Sequence, residues 1–131
     1  MKILLDHCVP RPFERPFAGY EATHTSRLRW GKLKNGLLLS AAEDAGFPVM
    51  VTVDRSMQFQ QSLEGRQIAV IYLRVFKNDL ANLLPMAELV MARLEDLEPG
   101  SRTIILIGDE QLKFRHEAQH PTKVGIGSLV N

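Results

Sequence analysis

Short apolar runs recur along the chain, each cut off by polar or turn-forming residues. The clearest are Ile3, Leu4 and Leu5 after Lys2, then Val49, Met50 and Val51, then Ile68 to Leu73. A short apolar run bounded by polar residues is how a buried strand of a parallel sheet reads. The pattern predicts strands over 2–5, 20–25, 48–52, 68–73 and 103–107. Helical stretches fall between them. Pro10 opens a short helix that Pro16 ends. Asn35 is a good N-cap and Gly46 a good C′ residue for a helix carrying Leu38, Leu39, Ala41, Ala42 and Ala45. Ser56 caps a short helix to Leu63, closed by Gly65. Asp79 caps a long one to about Leu97, with Leu80, Leu83, Leu84, Ala87, Val90, Met91 and Leu94 near helical spacing. Pro85 inside it predicts a kink or a boundary.

Strands alternating with helices imply right-handed βαβ units. The expected class is therefore α/β, a three-layer α/β/α sandwich with a mainly parallel sheet. The alternation stops at Gly108, which predicts one domain over 1–108 and a C-terminal extension, an arm or a tail, over 109–131. At 131 residues the length suits a single domain. The net charge of +1 decides nothing about a nucleic-acid partner, so local clustering matters more. The one cysteine, Cys8, excludes an internal disulfide framework and a Cys-rich zinc site, and fits a reducing compartment. No apolar run approaches the length of a membrane span, and the N-terminus lacks a signal-peptide layout. The expectation is a soluble cytoplasmic protein with no membrane partner.

Two aspartates carry the main chemical clue. Asp6 and Asp54 each directly follow a short apolar run, and ligands of parallel sheets gather outside the carboxyl ends of strands. Two carboxylates there are suited to share Mg²⁺ or Mn²⁺, which polarises a phosphodiester and activates water. The competing reading is that each aspartate caps the turn after its strand. The loop 26–34 carries Arg27, Arg29, Lys32 and Lys34 around Trp30, a platform for phosphate and base. Alternatively it is a solvated basic loop with Trp30 tucked into the core. Gln58, Gln60 and Gln61 read either as substrate contacts or as the polar face of a short helix. His7 and Cys8 flank Asp6, but consecutive residues are expected to point different ways, which disfavours a transition-metal site. His116 and His120 are half a metal motif at most.

These segments resemble the small bacterial PIN-like domain family, relatives of the toxin ribonucleases of toxin–antitoxin pairs. The matching stretches run from Lys2 to Asp6 with Val9 and Pro10, from Trp30 to Gly36, from Ala42 to Phe47 and from Val51 to Arg55. Gln60, Gln61 and Ile68 to Ile71 match too. The resemblance covers roughly the first hundred residues. It implies a PIN-like fold, an acidic metal-binding pocket at the strand ends and metal-dependent RNA cleavage. Asp6 and Asp54 match the two strand-end acids, Thr52 the threonine of a Thr-x-Asp signature, and Asn35 and Gly36 the helix opening. The departures deplete the pocket. His7 and Cys8 replace a usual Glu-Asn, Leu37 replaces a Glu, and Ser56 replaces an Asp or Asn. Asp44, on the same helix, lies roughly 10 Å from position 37 by helix rise and does not substitute for it.

Three functions compete. In the first, the chain is a Mg²⁺- or Mn²⁺-dependent ribonuclease. Asp6 and Asp54 hold the metal, Ser56 and Thr52 position water, and Arg27, Arg29, Trp30, Lys32 and Asn35 meet RNA. In the second, it is a catalytically weakened PIN-like protein that binds RNA, an antitoxin-like protein or a second copy of itself. The third, a phosphoacceptor receiver with Asp54 as the acceptor, fails because the expected Ser or Thr after strand four and Lys after strand five are missing.

Overall fold

The computed structural model describes residues 1–54 and 62–106, without the side chain of Asn35. Five parallel strands form one sheet: β1 (Lys2–Leu5), β2 (Glu21–His24), β3 (Val49–Thr52), β4 (Ala69–Arg74) and β5 (Arg102–Leu106). Their order across the sheet is β2-β1-β3-β4-β5. Among the described residues, three α-helices accompany them: α1 (Asn35–Asp44), α2 (Leu80–Leu83) and α3 (Ala87–Leu94). The expected helix over 56–63 and the extension over 109–131 fall wholly or mainly outside the described residues, as do Gln58, Gln60, Gln61, His116 and His120.

The central strands are apolar on both faces, which is why they read as unbroken runs rather than as alternation. Leu4, Met50 and Val70 pack with Leu38, Leu39 and Ala42 of α1 and with Phe47. Ile3, Leu5, Val51, Ile71 and Leu73 face the other way, onto Phe13, Leu83, Met86, Val90 and Leu94. The sheet is thus covered on both faces, the arrangement of an α/β/α sandwich. Each fully buried Leu or Ile contributes roughly 2–3 kcal/mol, so these two layers supply the main driving force.

Three expectations shift at their ends. The helix opened by Pro10 is a single 3₁₀ turn, Arg11–Glu14. Asn35 is not the N-cap of α1; it is the first helical residue, and Lys34, in extended conformation, takes the cap position without a side-chain bond. The long helix from Asp79 is broken where Pro85 stands. A 3₁₀ turn, Leu84–Met86, separates α2 from α3, and α3 stops at Leu94 rather than near Leu97. Asp79 does cap, its carboxylate accepting the Asn82 backbone N–H at 2.9 Å.

α1 is fixed to the start of β4 by one acid. Glu43 accepts backbone N–H groups from Gln67 at 2.7 Å and Ile68 at 3.2 Å, and pairs with Arg66 at 2.8 Å. Gly100 turns the chain into β5 with φ +75°, and a Cβ there would stand 2.9 Å from the Arg66 carbonyl oxygen. Only glycine fits that approach.

Candidate functional site at the strand ends

The strand order reverses between β1 and β3, and the crevice beyond the carboxyl ends at such a reversal is where open parallel sheets bind ligands. Asp6 and Asp54 both lie there. The Asp6 N–H extends the β1–β3 ladder by bonding the Val51 carbonyl at 3.0 Å. The chain then turns at once, with the Val9 N–H donating to the Asp6 carbonyl at 2.9 Å.

Asp6 is 1% exposed, and its carboxylate gathers donors. The Thr52 hydroxyl donates to Oδ2 at 2.7 Å, and the Cys8 thiol lies 3.4 Å from the same oxygen. Oδ1 accepts the His7 backbone N–H at 2.7 Å, and His7 Nδ1 stands 3.0 Å away. A carboxylate offers about four lone-pair sites, and three hydrogen bonds already occupy this one. The expectation that His7 and Cys8 point away from Asp6 is corrected here. The tight turn folds both side chains back onto the preceding carboxylate, as Asp side chains at turns favour.

Thr52 joins the two acids. Its hydroxyl donates to Asp6, and the same oxygen accepts the Asp54 backbone N–H at 3.0 Å. This puts the backbone of Asp54, itself half-buried, beside the Asp6 carboxylate. Burial, and next the charge of Asp6, push the Cys8 thiol up to about 11. Among the described residues, no three or more His, Cys, Asp or Glu side chains form a group able to hold a metal ion. For Asp6 to ligate Mg²⁺ or Mn²⁺ it would have to release donors it already has. The arrangement therefore fits a two-acid metal cradle poorly. Leu37, where the resemblance expects an acid, is 70% exposed. Ser56 lies outside the described residues.

The basic loop divides its residues between two roles. Arg27 is committed: its Nε and Nη2 donate to the Glu14 carboxylate at 2.7–3.0 Å, across β2. That holds the Glu14 carboxyl below its usual range, through the Arg27 hydrogen bonds above all. Trp30 is half-buried and meets Phe47 edge-on at 6.2 Å between ring centres, with Leu28 and Leu33 packed beside it. It anchors the loop to the α1 layer. Arg29, at φ 61°, Lys32 and Lys34 are exposed.

Buried His24 stitches this region to the Asp6 turn. Its Nε2 lies 2.7 Å from the Val9 carbonyl oxygen, which only accepts, so Nε2 carries the proton. Nδ1 then accepts from the Ser26 N–H at 3.1 Å. Sequence reading passed over His24 because a lone histidine at a strand end carries no pattern.

Charge segregates along the strand axis. The carboxyl edge displays Arg29, Lys32, Lys34, Arg74 and Lys77, all exposed. The opposite edge displays Asp44, Glu64, Glu95, Asp96 and Glu98, also exposed. A net charge of +1 conceals this polarity. No helix among the described residues is long and apolar enough to cross a membrane.

No family model matches the chain, and no curated protein or solved structure is significantly similar to it.

Proposed function

We propose that the chain is a PIN-like protein that engages RNA at the carboxyl edge of its sheet, with a weakened hydrolytic centre. The observation that carries this reading is the separation of charge between the two sheet edges. Exposed cations of two loops flank the β1/β3 switch point, the place where a parallel sheet offers its ligand crevice. Lys and Arg side chains that neutralise phosphates release counterions, and this gives affinity without sequence preference. The weakening follows from the missing acids. Leu37 brings no ligand, and the Asp6 carboxylate already accepts three hydrogen bonds.

Anisotropy titration of a labelled single-stranded RNA tests the proposal. Lys32→Glu with Lys34→Glu weakens binding by roughly tenfold or more at low salt and flattens the salt dependence. Asp96→Lys with Glu98→Lys, on the far edge, does not weaken it. Salt-independent binding, or loss through the far-edge variant, contradicts the proposal.

A second reading has one observation behind it. The Thr52 hydroxyl bonds both the Asp6 carboxylate and the Asp54 backbone N–H, so the two segments that carry the acids of a Mg²⁺- or Mn²⁺-dependent ribonuclease are adjacent. RNA cleavage in excess Mn²⁺ that disappears in Asp54→Asn favours this reading over pure binding.

A further inference from the structure

Phe76 is a fully exposed aromatic side chain on the carboxyl edge, set between Arg74 and Lys77 in the loop after β4. Scattered apolar residues on a surface are ordinary, but this loop is held at both ends. Val75 packs into the core layer of α2 and α3. The Asn78 side-chain amide donates to the Cys8 carbonyl oxygen at 2.8 Å, tying the loop to the Asp6 turn. Asp79 caps α2, accepting from the backbone and side-chain amides of Asn82 at 2.9 and 2.7 Å. With these anchors made, the ring stays in water, next to two exposed cations and beside the switch-point crevice.

We infer that Phe76 is a base-stacking platform for single-stranded RNA, with Arg74 and Lys77 meeting the adjoining phosphates. This rests on the RNA-facing reading above and deepens it by naming a subsite. The flanking cations Arg74 and Lys77 favour a polyanion, whose phosphates they neutralise, over an apolar partner that would leave both charges unpaired. A ring is a sequence-tolerant platform because every base has a π-face. Holding the ring in place beforehand lowers the ordering cost of binding.

The test compares Phe76→Ala and Phe76→Tyr, titrated with a labelled polyuridine oligonucleotide and with an abasic ribose-phosphate oligomer. Phe76→Ala is expected to weaken polyuridine binding roughly tenfold, while Phe76→Tyr retains it. The abasic oligomer is expected to bind both variants and the parent chain alike. Thermal melting of both variants at the parent temperature excludes misfolding as the cause. Unchanged polyuridine affinity in Phe76→Ala, where the parent chain binds, overturns the platform and leaves the RNA-facing reading in place. Absence of binding by the parent chain overturns both. A Phe76→Ala variant that instead loses self-association in sedimentation, with oligonucleotide affinity intact, assigns the ring to a second copy of the chain and overturns the platform.

Discussion

Asp6 and Glu14 do the same job in different surroundings. Each carboxylate follows β1, each accepts a backbone N–H, and each ties the segment after β1 to a neighbouring strand. Asp6 is sealed at 1% exposure and is met by a hydroxyl, a backbone N–H, a thiol and an imidazole. Glu14 has a side chain 14% exposed and is met by a full guanidinium that is itself 49% exposed. The formal charge pairing is stronger at Glu14, but solvent screens it, and surface pairs are worth little. At Asp6 the partners are weaker, yet the Thr52 hydroxyl, itself fully buried, has no water to fall back on. Burial, more than the charge of the partner, sets what each carboxylate is worth to the fold.

Removing Asp6 should show the larger effect. Asp6→Ala leaves the fully buried Thr52 hydroxyl and the part-buried His7 N–H without their acceptor. A stranded buried donor costs about 1–3 kcal/mol, so urea denaturation should show a loss of roughly 3 kcal/mol. A loss under 1 kcal/mol would mean the turn relaxes and the contrast with Glu14 is false.

The thiol beside Asp6 gives a subtler measure of the same sealing. With Cys8 raised to about 11, alkylation by iodoacetamide at pH 8 should run about a hundredfold slower than for an ordinary exposed cysteine. Asp6→Asn removes the second cause of the shift and leaves burial, the first. Its folded form should therefore react faster than the parent and still slower than a free thiol.

How legible this site was depends on the range of the interaction. The sheet was readable because its central strands, such as 49–52 and 69–74, are apolar on both faces and leave an unbroken run. Pro85 announced the break between α2 and α3 because its ring forbids the helix locally. The two strand-end acids were visible from the same runs. The neighbours of Asp6 were misjudged, because the rule that successive side chains diverge holds for a strand and fails in the turn that follows it. The bond between Arg27 and Glu14 was invisible. Thirteen residues separate them, and only the pairing of β1 with β2 brings them together. Phe76 stood out in no pattern, because exposure is a property of the folded surface and an isolated ring has no period.

The smallest effect belongs to Glu14 and carries its own signature in pH. The folded Glu14 carboxyl ionises more readily than a free one, with Arg27 the chief cause. A depressed carboxyl stabilises the fold above the unfolded value of about 4.3, and that contribution is lost as pH falls through the lower folded value. Glu14→Gln should therefore lower the melting temperature at neutral pH, and the gap from the parent should close as the solution is acidified below pH 4. Added salt should narrow the neutral-pH gap, because Arg27 faces solvent. A gap that survives both acid and salt would mean Glu14 acts through its hydrogen bond to the His24 N–H rather than through its charge. The two carboxylates after β1 would then differ less than their exposure suggests.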